Sequence, residues 1–254
     1  MKLVFFLIFV LGLIFPPPAV YAGPDGEALR QTDVRIKTVC IYTKKSQATN
    51  EILARIPMVS WGNGSFIDHV LGKHNVLTAS HVVVCDEKLG FSVDSAVWVL
   101  FNNIEYKASV LKTSPQFFPN FSIYQQDLAL LEVALPENVS HGHITPLVDH
   151  SFKVGDEVLI RSKRPIKDSV GNVEWLPYLK KVLIAEIFPN YFYFSEDVYM
   201  GMSGGAVLFW KDDKYRVVGV LTAGYMNENE VPLDAMWAAI IKKEFLELEL
   251  KTAP

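Results

Sequence analysis

The chain has 254 residues, half of them apolar, and 28 acidic against 24 basic residues give it a formal net charge of −4. This acidic balance offers no basic face, so the sequence predicts no nucleic-acid partner. The length is sufficient to bury a large hydrophobic core. No spacing of His, Cys, Asp and Glu resembles a zinc or calcium site, so we predict neither a metal nor another cofactor.

Residues 1–22 have the pattern of a secretory signal peptide. Lys2 supplies a positive charge, residues 3–15 are apolar apart from one glycine, and prolines and small residues follow before Gly23. The apolar run is short for a membrane span, which needs roughly 20 residues. We therefore expect a cleaved signal and a secreted, periplasmic or otherwise extracytoplasmic protein. An uncleaved membrane anchor is the alternative, and only that form would contact a membrane.

The rest of the chain alternates short apolar runs with turn residues, a pattern typical of an all-β sandwich or barrel. It predicts strands at residues 34–42, 56–61, 65–71, 75–78, 96–101, 105–112 and 128–133, and, beyond a linker at 136–146, at 157–162, 179–187, 191–194, 206–210 and 215–221. The C-terminal segment differs. Asp234 can cap a helix there, and the apolar and charged residues that follow predict an α-helix to about residue 250.

Three segments carry residues of the types used in nucleophilic hydrolysis. His81 ends a Leu-Thr-Ala-Ser-His run, Asp127 begins an Asp-Leu-Ala-Leu-Leu run, and Ser203 lies in Gly-Met-Ser-Gly-Gly-Ala-Val. A serine hydroxyl needs a neighbouring base, histidine has a suitable pKa, and a carboxylate orients the imidazole. Each residue alone could be structural: a buried histidine, a turn aspartate and a turn serine. The order His, Asp, Ser differs from subtilisin-like and α/β-hydrolase arrangements.

Together these motifs, with a Val-Gly-Val-Leu-Thr-Ala-Gly run at residues 218–224, resemble trypsin-like serine peptidases of the chymotrypsin fold. The resemblance covers roughly residues 34–245. It implies two six-stranded antiparallel β-barrels, at 34–140 and 145–250, with the active site between them and a C-terminal helix on the second. It further implies that His81 is the base, Asp127 its orienting carboxylate and Ser203 the nucleophile. The oxyanion hole would be formed by the N–H groups of Gly201 and Ser203.

The resemblance says less about specificity. Asp197 precedes the nucleophile by the spacing at which trypsin-type enzymes place a substrate-selecting acid, although a solvated turn residue is the simpler interpretation. Thr222, Ala223 and Gly224 would form one wall of the substrate-binding pocket. Met202 stands where digestive members carry an aspartate that pairs with a new N-terminus, and no Ile-Val-Gly-Gly sequence occurs near residue 34. We therefore predict activity without propeptide cleavage beyond signal removal.

The two cysteines, Cys40 and Cys85, could form a disulfide in an exported protein or remain buried thiols. The sequon at Asn63 falls in a predicted hairpin near the site, which argues against a glycan there. Five other histidines fit a catalytic role less well than His81: His69, His74, His141, His143 and His150.

The sequence predicts a serine endopeptidase with protein or peptide substrates. Two alternatives stay open: a catalytically inactive member of the fold that acts as an exported binding or scaffold protein, and an esterase or acyl transferase that uses the same three residues.

Overall fold

A computed structural model describes residues 29–68, 74–86, 88–114, 126–167, 170–226 and 232–247. The predicted signal peptide lies outside these residues. Within the described residues, these strands and short helices follow in chain order: β1 (Asp33–Lys45), β2 (Ile52–Ile67), β3 (Asn75–Thr78), α1 (Ser80–Val83), β4 (Ser92–Phe101), β5 (Ile104–Thr113), β6 (Ala129–Val133), β7 (Glu157–Lys167), β8 (Val173–Leu183), β9 (Glu186–Ile187), β10 (Tyr191–Asp197), β11 (Ala206–Lys211), β12 (Lys214–Met226), β13 (Pro232–Ile240) and α2 (Lys243–Leu246). The all-β class is confirmed.

The first six strands close into an antiparallel barrel in the order β1-β2-β3-β6-β5-β4. Strand β1 shows how the sequence specifies this barrel, because buried and partly exposed residues alternate along it. Val34, Ile36 and Tyr42 are among the residues that it buries. Since successive side chains of a strand point to opposite faces, every second residue fills the barrel interior. The prediction of a six-stranded N-terminal barrel is confirmed.

The second sheet is not the closed barrel that we predicted. It has seven strands in the order β8-β7-β11-β12-β13-β10-β9, so β8 and β9 form its two edges. Strand β9 has only two residues, both exposed, and it pairs with β10 alone. Strand β8 pairs with β7 along its whole length and keeps most of its residues exposed or half-exposed. Two backbone positions in β9 are too few to close the sheet onto β8.

The prediction of a C-terminal helix beginning at Asp234 is wrong for most of its length. Residues 234–240 belong to β13, which pairs with both β12 and β10, and the helix α2 comprises only Lys243–Leu246. Met236, Ala238 and Ala239 are fully buried in this central strand. Ladder hydrogen bonds on both sides, together with this burial, outweigh the helix propensity of the alanines. Residues 248–250 of the predicted helix lie outside the described residues.

An apolar core joins the barrel to the seven-stranded sheet. One buried cluster combines barrel residues such as Phe66 and Leu130 with Leu159, Leu208 and Val220 of the second sheet. A second cluster lies among the strands of the seven-stranded sheet and includes Met202. Buried side chains therefore hold the two sheets against each other. This contact fixes the positions of the segments that lie between the sheets. No helix within the described residues is long and apolar enough to span a membrane.

Candidate active site

The segment around Ser203 turns tightly between β10 and β11. Gly201 and Gly204 have positive φ values of 85° and 84°, a backbone conformation that residues with a Cβ adopt at a cost. At Gly204 a Cβ would lie 1.9 Å from the carbonyl oxygen of Asn63 and 2.4 Å from Thr78 Oγ1. Only glycine fits there, because the turn is pressed directly against strands β2 and β3 of the barrel.

His81 and Asp127 contact each other twice. His81 Nδ1 lies 2.6 Å from Asp127 Oδ2, and the backbone N–H of His81 donates to Oδ1 at 2.9 Å. The Asp127 side chain is fully buried, whereas that of His81 is 24% exposed. A carboxylate held this way fixes both the position and the rotation of the imidazole while leaving part of the ring open to solvent.

The pKa of Asp127 lies below its ordinary value. Burial by itself would raise it, but the hydrogen bond and charge of His81, the hydroxyl of Thr222 and the backbone N–H of His81 together outweigh burial. An ionised carboxylate can only accept hydrogen bonds, so His81 Nδ1 carries the proton in the contact with Asp127. In the neutral form of the ring, the other nitrogen, Nε2, can then accept a proton.

Thr222 links the carboxylate to the serine. Its hydroxyl donates to Asp127 Oδ2, and its backbone carbonyl accepts from Ser203 Oγ at 3.5 Å, the long end of hydrogen-bond distances. The sequence interpretation gave Thr222 a place in a pocket wall and did not foresee its contact with the carboxylate. Asp127 from the barrel and Ser203 from the second sheet are thus both within reach of one residue of β12.

The other sequence-predicted pocket residues are placed as follows. Asp197 ends β10 with an exposed side chain, opposite Asp234 in the strand register. Ala223 and Gly224 lie in β12 opposite Trp237 and Met236 of β13. Their backbones continue the strand of Thr222.

Met202 is fully buried in the apolar cluster of the second sheet. Its N–H donates to the carbonyl of Tyr199 at 3.1 Å, and its own carbonyl accepts from Gly205 N at 3.1 Å. A buried apolar side chain therefore occupies the position before Ser203. Asn63 is also fully buried, and the amide group that a glycan would need is enclosed by protein.

Cys40 and Cys85 are bonded to each other, with their Cα atoms 5.8 Å apart. The disulfide ties β1 to the segment that follows α1, which is the helix that carries His81. It closes a loop of about 45 residues, and such a cross-link stabilises the fold by roughly 3–4 kcal/mol in the chain-entropy account.

Most of the remaining histidines pack structurally. His141 stacks on Phe66 with ring centroids 3.9 Å apart, and its Nε2 lies 2.6 Å from His74 Nδ1. His143 contacts Asp68 at 3.9 Å, and His150 packs on aromatic rings of the second sheet. His69 lies outside the described residues. Within the described part of the chain, no group of three or more His, Cys, Asp or Glu side chains could hold a metal ion.

Comparison with known proteins supports the fold. A solved structure, that of the protease Anisep from Arthrobacter nicotinovorans, matches with a TM-score of 0.54 and 12% sequence identity. The match covers 83% of this chain and 90% of the Anisep chain. No protein-family model matches the chain, and no curated protein matches it in sequence. The likeness is one of fold: this chain shares its architecture with that structure.

Proposed function

We propose that the protein is an exported serine endopeptidase that uses His81, Asp127 and Ser203. The observation that carries this proposal is the chain of contacts from His81 through Asp127 to Thr222 and Ser203. An ionised, fully buried carboxylate beside a partly exposed imidazole has the geometry needed to orient a general base. The protease fold of the similar structure supports the same reaction class.

In the proposed reaction, Ser203 Oγ attacks the carbonyl carbon of the scissile peptide bond while His81 Nε2 takes the hydroxyl proton. The carbonyl oxygen becomes an oxyanion that accepts hydrogen bonds from the N–H groups of Gly201 and Ser203. His81 then gives its proton to the leaving nitrogen, the C–N bond breaks, and an acyl-enzyme remains. Water, deprotonated by His81, releases the acid and restores Ser203.

Each oxyanion donor contributes about 3 kcal/mol of transition-state stabilisation in enzymes of this kind. The conformation of the turn from Gly201 to Gly205 therefore matters as much as the three side chains. Buried Met202 favours a turn that is already formed, and we accordingly propose that removal of the signal peptide is the only processing step. The Cys40–Cys85 disulfide is compatible with the oxidising compartment of an exported protein.

Protein or peptide chains are the proposed substrates. We do not assign the side chain that the pocket selects, since Asp197 is exposed at the end of its strand. Digestion of unfolded protein substrates, followed by mass spectrometry of the new termini, would define that preference. It would also separate a peptidase from an esterase or acyl transferase, which would leave the substrate chains intact.

Labelling with a fluorophosphonate tests the proposal directly. The protein starting at Gly23 should be labelled, and the Ser203→Ala and His81→Ala variants should lose the label, because the probe reacts only with an activated serine. A folded wild-type protein that stays unlabelled would contradict the proposal. It would favour the alternative of an inactive member that acts as a binding or scaffold protein.

A further inference from the structure

Residues 201–205 form the turn that carries Ser203, and we call it the nucleophile turn. One buried side chain of the barrel is hydrogen-bonded to this turn. Asn63 lies in β2, is fully buried, and its Nδ2 donates to the carbonyl oxygen of Gly201 at 2.6 Å. Its backbone N–H donates to the carbonyl oxygen of Ser203 at 2.7 Å. Asn63 therefore holds two peptide groups of the turn, which lie on either side of the peptide group that carries the Ser203 N–H.

The remaining bonds of Asn63 leave its side chain no freedom to turn. Nδ2 also donates to the carbonyl of Lys163 at 3.1 Å, and Oδ1 accepts from the Lys163 N–H at 3.2 Å. A backbone N–H can only donate, so Lys163 determines which end of the amide is oxygen. The nitrogen end must then face Gly201, and both of its hydrogens are used.

Asn63 also connects the turn to the segment of the predicted base. Its carbonyl oxygen accepts from Thr78 Oγ1 at 2.6 Å, and Thr78 ends β3, three residues before His81. Nucleophile and base belong to different sheets, and Asn63 is bonded to the strand or turn beside each of them. Any displacement of the turn relative to the barrel would break several of these hydrogen bonds together.

Ser162 of β7 holds the peptide group between the other two. Its Oγ donates to the carbonyl of Met202 at 2.9 Å. Since a peptide group is planar and trans, a fixed Met202 carbonyl fixes the opposite direction of the Ser203 N–H. Three consecutive carbonyls of the turn, those of Gly201, Met202 and Ser203, thus accept hydrogen bonds from Asn63 or Ser162.

We propose that Asn63 is a positioning residue, which, together with Ser162, holds the nucleophile turn so that the N–H groups of Gly201 and Ser203 face a common point. The proposal rests on the proposed serine-peptidase function. It assigns to internal hydrogen bonds the ordering of an oxyanion hole that needs no newly cut N-terminus. Asn63 acts through the turn and does not itself contact substrate.

The test is the Asn63→Asp variant, which keeps the shape of the side chain and removes both N–H donors. We expect kcat to fall by about 10- to 100-fold with KM changed less than about twofold, since oxyanion donors act mainly in the transition state. Ser162→Ala should show the same split with a smaller loss. Asn75→Asp, at another fully buried asparagine of the barrel, is the matched control and should retain kcat when folded.

Amide hydrogen exchange gives a readout that does not depend on catalysis. The N–H groups of Met202, Gly204 and Gly205 are hydrogen-bonded in the turn, and in Asn63→Asp they should exchange faster than in the wild type. Amides of the barrel strands should keep their protection. Full kcat with unchanged exchange would overturn the proposal, and so would an equal loss of kcat and global protection in Asn75→Asp.

The two proposals can fail separately. A wild-type protein that is not labelled by fluorophosphonate would refute the serine-peptidase function, and the exchange comparison would then decide by itself whether Asn63 orders the turn. A labelled wild type with a fully active Asn63→Asp variant would leave the function standing and refute the role of Asn63.

Discussion

The barrel and the nucleophile turn achieve a fixed geometry in different ways. His81 lies in α1 and Asp127 lies just before β6 of the closed six-stranded barrel, and two direct contacts hold them together. Ser203 lies in a loop of an open sheet, and most of the bonds that hold its turn come from other strands, through Asn63, Ser162 and Leu221. His81 and Asp127 therefore hold each other by direct contact, whereas Ser203 is held indirectly, through hydrogen bonds from neighbouring strands to the turn that carries it.

The largest effect on the free energy of unfolding is expected where the turn meets the barrel. Gly204→Ala would place a Cβ 1.9 Å from the carbonyl oxygen of Asn63 at a φ of 84°. Backbone strain and overpacking together should lower the free energy of unfolding by about 3 kcal/mol or more. Urea denaturation followed by tryptophan fluorescence would measure it.

Gly155→Ala is the matched control for that substitution, since Gly155 has a φ of 93° with no heavy atom within 4 Å of a Cβ. It should cost only the backbone term, about 1–2 kcal/mol. Equal losses in the two variants would show that contact between the turn and the barrel contributes nothing to stability.

The next prediction concerns kcat and the contact between His81 and Asp127. Asp127→Asn keeps the side-chain shape and removes the negative charge that Thr222 and His81 both contact. We expect kcat to fall by about 10³- to 10⁴-fold, because the imidazole loses its tautomer control and its stabilising charge. Steady-state hydrolysis of a peptide substrate measures this loss. A variant with kcat within tenfold of the wild type would contradict the role given to Asp127.

A smaller effect is expected at the residue that joins the two regions. Thr222→Val removes the hydroxyl that donates to Asp127 while keeping the shape of the side chain. Loss of one hydrogen bond to a charged group, about 1.5–3 kcal/mol, predicts a decrease in kcat of roughly 10- to 100-fold.

Thr222→Ser retains the hydroxyl and serves as the control for that loss, with kcat expected to stay near the wild-type value. The pKa of Asp127 should rise in Thr222→Val and not in Thr222→Ser, because the hydroxyl favours the ionised carboxylate. Equal kcat values for Val and Ser at this position would show that the hydroxyl has no part in the site.

The smallest effect concerns how the pKa of His141 makes the stability of the protein depend on pH. Burial lowers the pKa of His141; its bond to Gly142 opposes this, while the neighbouring His143 and His74 add to it. The unfolded chain, with a histidine pKa of about 6.5, therefore takes up the proton first as pH falls. The contribution of His141 to stability is complete above that pH and is lost as pH falls through its lower folded pKa.

Urea denaturation at about pH 7.5 and about pH 5.5 would measure this change relative to the histidine reference pKa. Asp68, beside His143, remains in both proteins and does not alter the comparison. The His141→Gln variant should lose less stability between the two pH values than the wild type. An identical decrease in both proteins would place the pH dependence elsewhere.

Several parts of the fold could be predicted because the information is local. Alternation along residues 34–42 predicted β1, and the strand continues to Lys45. The closed N-terminal barrel was implied by the resemblance that the three motifs and the run at residues 218–224 carry together. The C-terminal segment could not be read this way, since an alanine-rich apolar run fits a helix and a doubly paired central strand equally well. Met236 and Ala238 are buried in β13, which pairs with both β12 and β10, and this burial favours the strand over the helix.

The residues around Ser203 also divide into those that the sequence identifies and those that only the structure identifies. Gly201, Ser203 and Gly204 are recognisable because a tight turn that carries a serine between glycines restricts the residue types that it accepts. Asn63 and Ser162 carry no such signal: the first is part of a sequon and the second lies in an ordinary strand. Their importance appears only once β2 and β7 meet the turn.

By itself, the sequence determined the all-β class, the positions of most barrel strands and the three residue types of the candidate site, because periodicity and short motifs are properties of neighbouring residues. The strands predicted at 56–61 and 65–71 are one strand, β2. Only the tertiary structure decided that the second sheet stays open, that β13 replaces a helix, and that Asn63 holds the turn of Ser203. Each of these depends on pairing or hydrogen bonding between residues far apart in the chain. The free energy of such contacts depends on which partners the whole fold brings together.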